Sequence, residues 1–291
     1  MKWFPVLLTM TLAPLAPAEP LTLQWQWHSQ DGNRHHITFS ADEGALDASR
    51  REMVTLDRAL NFPLDTLFAQ MGEKLQGTLA EINRLSPEGA VKFDNLEQAF
   101  ALRDQSPQSV MFWQAYHQYQ EDAFYALRIT PCIHPTDRRL PCVRPNYSQL
   151  FYQLKHALQP LARQFVQSDT AKTVALLQEW LDSIPSPNEQ VDHFAPPLQA
   201  LQQNRADSDE KALLMAALLA ELLPDYALSI IYPDISVGSV SPAWLAITAD
   251  SGLQGETVQI NSQPHVLLTG SPVLVQQMML SKIPLVSEPL Y

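Results

Sequence analysis

Hydrophobic and polar residues alternate strictly near the start of the chain. In LTLQWQWHSQDGNRHHITFS (21–40) the apolar positions that share one side of an extended chain are Leu21, Leu23, Trp25, Trp27, Ile37 and Phe39. The pair Asp31-Gly32 divides this pattern and is typical of a tight turn. A period of two on both sides of such a turn predicts a β-hairpin with one buried face.

The middle of the chain shows the spacing of α-helices instead. From residue 64 to 85, apolar side chains recur every three or four positions, namely Leu64, Leu67, Phe68, Met71, Leu75, Leu79, Ile82 and Leu85. This predicts a helix with one buried face. Similar patterns predict helices near 95–103, 108–127, 146–165 and 170–185, the third bent at Pro160. The many aromatic residues of 108–127 are interpreted as core.

The last third of the chain begins with a helix and continues as strands. The acidic stretch DSDE (207–210) precedes a long apolar helix, and strands are predicted at 226–232, 243–248, 256–260 and 265–269. We therefore predict an α+β fold. A helical N-terminal region with a β-hairpin (19–145) is followed by a domain with a helix packed on an antiparallel sheet (146–291).

The first 18 residues have the pattern of an export signal. Lys2 precedes a short apolar run that ends in the small-x-small sequence Ala16-Pro17-Ala18. Later apolar runs fall short of the roughly 18 residues that a membrane span needs. The sequence thus predicts cleavage after residue 18, a periplasmic or secreted protein and no membrane span.

Composition and charge narrow the class of partner. The chain is 46% hydrophobic and 17% charged, as expected for an ordered globular protein. Its formal charge is −12, and nucleic-acid binding needs an excess of lysine and arginine. We therefore do not expect DNA or RNA as partners.

The two cysteines, Cys132 and Cys142, lie ten residues apart in TPCIHPTDRRLPCV. In an oxidising compartment this spacing favours one disulfide that closes a loop, worth roughly 2–3 kcal/mol. The alternative is a pair of free thiols that forms a metal or catalytic site with His134, although the CxxC spacing of such sites is missing. A second candidate metal site is His28 with His36, on the polar side of the predicted hairpin, with no third ligand nearby.

Several segments after residue 176 resemble bacterial exported proteins with a transglutaminase-like domain of the papain-like fold. The segments that carry the resemblance are EWLDSIP (179–185), FAPPLQAL (194–201), ADSDEKALLMAALLAELLPDYAL (206–228), AWLAI (243–247) and PHVLLTGSP (264–272). They cover over a third of the chain, and residues before 145 match only loosely.

The resemblance implies a catalytic site whose residues have all been replaced. In the family, a cysteine at a helix N-terminus is activated by a histidine on the neighbouring strand, and an acidic residue orients that histidine. The matching positions here are Ser208 for the cysteine, Trp244 for the histidine and Thr269 for the acid. Asp182 replaces a glutamine that precedes the loop.

Ser208 admits two interpretations. With Asp207 and Asp209 it can cap the helix by accepting hydrogen bonds from free backbone amides. As a nucleophile it would need a general base, because a helix terminus worth at most about 2 kcal/mol cannot ionise a hydroxyl. Trp244 cannot be that base, which leaves His265 or His193 in a new geometry.

Trp244 is interpreted either as a plug that fills the former cleft or as an exposed anchor for a peptide. Together these residues predict a non-catalytic, exported transglutaminase-like protein without a cofactor, which binds a protein or peptide. The alternatives are a hydrolase or acyl transferase that uses Ser208 with a relocated histidine, and a metal-binding module.

Overall fold

The computed structural model describes residues 21–290, with gaps at 30, 43, 45, 48, 50–63, 134–136, 138, 140–141, 188–193, 235–241, 249–252, 254, 261 and 271. The predicted export signal, His134 and His193 therefore lie outside the described residues. None of the described helices has both the length and the apolar character needed to cross a bilayer.

The predicted β-hairpin is confirmed. Strands β1 (Leu21–His28) and β2 (Arg34–Ala41) are antiparallel, and Trp25 lies opposite Ile37. The turn contains Gly32 at φ +84°, a conformation that glycine adopts without a steric penalty. Trp25 and Trp27 are buried on one face, as the alternation predicts.

A helical unit with its own core follows. It contains α1 (Leu64–Leu85), α2 (Leu96–Ala101), α3 (Pro107–Ala126) and the short antiparallel pair β3 (Ile129–Pro131) and β4 (Val143–Pro145). Met71 of α1 and Phe112 of α3 lie fully buried in this core. The aromatic residues of α3 are not all core residues, however, since Tyr125 is 63% exposed.

The predicted disulfide is present between the ends of β3 and β4. Cys132 and Cys142 are bonded, with their Cα atoms 5.0 Å apart. The Cys132 N–H also donates a 3.0 Å hydrogen bond to the Cys142 carbonyl oxygen. The alternative with two free thiols is therefore wrong.

Five helical segments surround the C-terminal core. They are α4 (Tyr147–Leu154), α5 (Gln159–Ala162), which continues as a 3₁₀ turn (Arg163–Phe165), α6 (Thr170–Ser183), α7 (Pro197–Gln203) and α8 (Ser208–Leu222). The single bent helix predicted over 146–165 is wrong, because the chain leaves the helix after Leu154 and starts a new one at Gln159. Pro160 lies in the first turn of α5, where its missing N–H costs no helical hydrogen bond.

The predicted antiparallel sheet is confirmed and has five strands in the order β7-β8-β6-β5-β9. Its elements are β5 (Leu228–Pro233), β6 (Trp244–Thr248), β7 (Thr257–Ile260), β8 (Gln263–Leu267), α9 (Pro272–Leu280) and β9 (Leu285–Pro289). The sequence patterns did not predict α9 or β9. The mixture of helices with this sheet is the expected α+β fold.

The two faces of the sheet contact different helices. Leu245 and Ile247 of β6 belong to the core that includes α8, whose residues 212–219 are all 0% exposed. Trp244 and Ala246 point the opposite way, into a smaller core with α9. This alternation follows from the two-residue period of a strand and decides where Trp244 can act.

The hairpin packs against the C-terminal helices rather than the helical unit. The rings of Trp25 and Trp180 meet edge to face, with centroids 5.6 Å apart. The Trp25 indole N–H donates a 2.9 Å hydrogen bond to the Asn204 side-chain oxygen. The division at residue 145 stays a prediction, but the buried side chains group the hairpin with residues 147–290.

Candidate functional site

A cleft of about 530 Å³ lies at the N-terminal end of α8. Three segments that are far apart in sequence form its walls: one face of α6 with Ser186 beyond it, the first turn of α8, and residues 268–270 after β8. Clefts of this size accommodate small ligands or peptide side chains. The cleft is therefore the candidate functional site.

The first turn of α8 is held by a capping box in which Ser208 takes no part. Asp207 is the N-cap, and its carboxylate accepts hydrogen bonds from the Asp209 N–H, at 3.3 Å, and from the Glu210 N–H. In return, the Glu210 carboxylate accepts a 2.8 Å bond from the Asp207 N–H. Ser208 is the first residue of the helix. The prediction that Ser208 caps the helix is thus wrong by one residue, because Asp207 takes the cap position.

The two acidic residues that follow Ser208 are buried and fix the position of the helix end. Asp209 accepts a 2.8 Å hydrogen bond from the Tyr147 hydroxyl of α4. Glu210 also accepts a hydrogen bond from the Ala195 N–H in the segment that leads to α7. Such charge-assisted bonds are the strong ones in protein interiors. They hold the N-terminus of α8 in one position relative to α4 and α7.

Ser208 and Lys211 both line the cleft, one helical turn apart. Positions i and i+3 lie on the same face of a helix, so both side chains face the same space. Burial lowers the pKa of the Lys211 ammonium, and the charges of Asp182, Asp207 and Glu210 partly oppose that shift. The Lys211 amine is therefore easier to deprotonate than that of an exposed lysine.

The cleft wall formed by residues 268–270 is hydrogen-bonded to α6 and to β6. The Gln178 side-chain amide donates a 2.7 Å hydrogen bond to the Leu268 carbonyl oxygen. The Thr269 hydroxyl oxygen accepts a 2.8 Å bond from the Leu245 N–H, in the manner of a backbone carbonyl. Thr269 therefore extends the pairing of the sheet at the edge of the cleft, where the resemblance places an acidic residue.

Trp244 neither plugs the cleft nor anchors a ligand. Its side chain is 1% exposed and packs in the small core on the α9 face of the sheet. It does not line the cleft, although it lies directly beneath Gly270, which does. The interpretations of Trp244 as a plug in the cleft and as an exposed anchor are therefore both wrong. Leu245 faces α8, so its neighbour Trp244 must point to the opposite face of the sheet.

Of the four positions suggested by the resemblance, three meet in the cleft. Asp182 on α6, Ser208 on α8 and Thr269 after β8 all line it. The three segments are about 26 and 61 residues apart in sequence and meet only through the packing of α6, α8 and the sheet.

The candidate histidine base is not in the cleft among the described residues. His265 on β8 is 4% exposed, and its ring Nδ1 lies 3.0 Å from the Gln263 carbonyl oxygen. It does not belong to the cleft lining, and the other candidate, His193, lies outside the described residues. The described geometry thus gives no support to a relocated histidine at Ser208.

The histidines of the hairpin do not form a metal centre with other described residues. His28 lies opposite Arg34, and His36 lies opposite Gln26. Across the part of the chain that the structure describes, no three histidine, cysteine, aspartate or glutamate side chains come together as a metal-binding group.

The charge of the described cleft lining is unbalanced. Glu179, Asp182 and Asp207 contribute carboxyl groups, whereas Lys211 contributes the amine. Lys211 and Glu179 were not predicted as site residues, because the resemblance implies a histidine as the base. The signal was present, since Lys211 follows Ser208 by three residues and Glu179 precedes Asp182 by three residues on predicted helices.

Comparison with protein-family models, with curated proteins and with solved structures gave no match to this chain. The transglutaminase-like resemblance therefore stays a prediction, and the cleft has to be interpreted from its own geometry.

Proposed function

We propose that this protein acts outside the cytoplasm and binds a segment of another protein in the Ser208 cleft. We further propose that it does so on a transglutaminase-like scaffold without the family's cysteine–histidine chemistry. The observation that carries the proposal is the cleft itself, which Ser208 lines at the N-terminal end of α8. The resemblance assigns the nucleophile of the family to this position.

The lining favours a basic segment. Three carboxyl groups and one amine give the described lining a negative balance at neutral pH. A lysine or arginine side chain entering the cleft would meet complementary charge, which increases specificity and association rate. We therefore expect the affinity for such a segment to fall as the salt concentration rises.

The binding test blocks the cleft without touching its charges. Peptides are selected from a phage-displayed library on the disulfide-intact protein, and the best peptide is synthesised for fluorescence polarisation. Ala175 lies on α6 in the cleft wall, whereas Ala171, one turn earlier, is exposed and does not line the cleft. Ala175→Trp is therefore the blocking variant, and Ala171→Trp is its matched control.

We expect Ala175→Trp to weaken peptide binding at least tenfold, or about 1.4 kcal/mol, while Ala171→Trp leaves it unchanged. Asp182→Asn should lower the affinity for a basic peptide and leave the affinity for a neutral peptide unchanged. Equal affinity for both tryptophan variants would contradict the proposal, and so would a library that yields no binder.

The lack of thiol chemistry has its own test. Ser208→Cys places a thiol at the start of α8, but no histidine lines the described part of the cleft to form a thiolate–imidazolium pair. We expect no amine incorporation into peptide glutamine by the wild type or by this variant. Amine incorporation by either protein would contradict this part of the proposal.

A further inference from the structure

We propose that Ser208 and Lys211 form a nucleophile–base pair, and that Ser208 accepts an acyl group from an ester or a similarly activated carbonyl compound. The inference uses the same cleft as the proposed function but a different property of it. Binding of a peptide does not require the pair, and the pair is tested by a covalent readout.

The geometry comes from one helical turn. Ser208 is the first residue of α8 and Lys211 the fourth, and both line the cleft. Serine with lysine as its base is one of the known variants of the serine–histidine arrangement. The capping hydrogen bonds come from Asp207 and Glu210, so the Ser208 hydroxyl is not required to hold the helix end.

The position of Lys211 suits a base better than that of an exposed lysine. It is a half-buried residue at the wall of the cleft, and burial acts against its charged form. Asp182, Asp207 and Glu210 oppose this effect, and Glu179 adds a further carboxyl group to the cleft. The pair should therefore be most reactive above neutral pH, where more of the amine is neutral.

The reaction balances with groups that the chain and water supply. The neutral Lys211 Nζ takes the proton of the Ser208 hydroxyl while Oγ attacks the ester carbonyl carbon. The carbon–oxygen bond to the leaving alcohol then breaks, and Lys211 returns the proton to that alcohol. Water, activated by the same amine, later hydrolyses the acyl-serine to a carboxylic acid and regenerates Ser208.

The start of α8 also offers a donor for the negative charge that develops on the carbonyl oxygen. At the first helical position the backbone N–H has no partner within the helix. The partial positive charge of the helix N-terminus acts in the same direction. The Ser208 N–H can therefore serve as an oxyanion donor beside its own hydroxyl, a device that typically contributes a few kcal/mol.

The test is covalent labelling by a fluorophosphonate probe, followed by intact mass and peptide mapping. Wild type is compared with Ser208→Ala, Lys211→Arg and Lys211→Met. Lys172→Arg, at an exposed lysine of α6 outside the described lining, is the matched control. Lys211→Arg keeps the positive charge but cannot accept a proton, so it separates a base from a merely electrostatic role.

We expect one label on Ser208 of the wild type and of Lys172→Arg. Labelling should be lost in Ser208→Ala and slowed about 100-fold or more in both Lys211 variants, the usual contribution of a general base. Hydrolysis of p-nitrophenyl butyrate should rise with pH, with an apparent pKa below 10.5, the ordinary value for lysine. Circular dichroism checks that each variant is folded.

The inference would be overturned if the wild type is not labelled, or if the label lies on a residue other than Ser208. It would also be overturned if folded Lys211→Arg is labelled as fast as the wild type. The peptide-binding assay is run on the same preparations. Selective peptide binding without labelling refutes the reactive pair and leaves the binding proposal standing. Labelling of Ser208 without peptide binding refutes the binding proposal and leaves the reactive pair standing.

Discussion

The indole ring of Trp244 lies directly under the backbone of Gly270. A Cβ atom added to Gly270 would fall 1.8 Å from the Cδ1 atom and 2.3 Å from the Nε1 atom of Trp244. Gly270 also has φ +88°, and it forms part of the cleft wall. Trp244 therefore supports the cleft wall from behind, and only a residue without a side chain fits above its ring.

Gly270→Ala should destabilise the protein by about 2–4 kcal/mol, because the strained φ and the overlap with the ring add together. Gly89 has a similar φ of +81° with nothing within 4 Å of an added Cβ. Gly89→Ala, the control, should therefore cost only about 1 kcal/mol in the same urea unfolding experiment. Equal losses would show that the ring does not constrain residue 270.

Asp207→Ala should cost about 1 kcal/mol of unfolding free energy, since the first turn of α8 loses its N-cap acceptor. Ser208→Ala should change stability by less than about 0.5 kcal/mol, because Ser208 is not the cap. Chemical denaturation of both variants measures which of the two residues caps the helix. A larger loss for Ser208→Ala than for Asp207→Ala would contradict the observed capping box.

Removal of the Cys132–Cys142 disulfide should lower the unfolding free energy by roughly 2–3 kcal/mol, because the closed loop restricts the unfolded chain. The Cys132→Ser/Cys142→Ser double variant and the reduced wild type should agree. A thiol assay in denaturant should find no free thiol before reduction. Two free thiols in unreduced protein would be incompatible with the bond.

Glu288 on β9 joins three other segments. Its carboxylate accepts a 3.0 Å hydrogen bond from the Ser148 N–H and a 3.2 Å bond from the Tyr232 hydroxyl, and it lies 3.8 Å from the Arg144 guanidinium. Glu288→Gln leaves one donor facing an NH₂ group, so we expect a loss of about 1–3 kcal/mol. Glu121→Gln, at an exposed residue of α3, should leave the denaturation curve unchanged. If Glu288→Gln has the same denaturation curve as the wild type, this cluster does not contribute to stability.

Tyr232 should make stability sensitive to alkaline pH. Burial raises its pKa above the usual 10.0, and the nearby Glu288 and Asp234 add to the shift against the effect of Arg144. Because the folded-state pKa is the higher one, the contribution is complete below pH 10 and is lost as pH rises toward that raised value. Between pH 9 and 11, stability should therefore fall more steeply in wild type than in Tyr232→Phe. The control is Tyr152→Phe, at a half-exposed tyrosine of α4, whose stability should depend on pH as that of the wild type does. If the stability of Tyr232→Phe falls with pH in parallel with that of the wild type, Tyr232 is not the source of the alkaline sensitivity.

Local periodicity was enough to predict the hairpin, α1 and four strands of the sheet. The hairpin repeats every two residues and α1 every three or four, over segments long enough to exclude the other period. The four strands are short segments, and two of them, β5 and β6, are apolar and buried almost throughout. The prediction failed where the repeat is short or interrupted. The helix predicted over 146–165 is broken before Pro160. In α9, exposed Val273 and Leu280 and buried Val275 are all apolar, so no single face repeats along the sequence, and β9 has only five residues.

The candidate site shows the same division between local and tertiary information. The sequence by itself determined that a helix starts near Ser208 with acidic caps, because capping depends on neighbours within three residues. Only the tertiary structure decided that Asp182 and Thr269 line the same cleft as Ser208, since their segments meet through packing of α6 and the sheet on α8. The tertiary structure also decided that Trp244 faces α9. A strand's alternation defines two sides, but which side meets which helix depends on contacts between residues far apart in the chain.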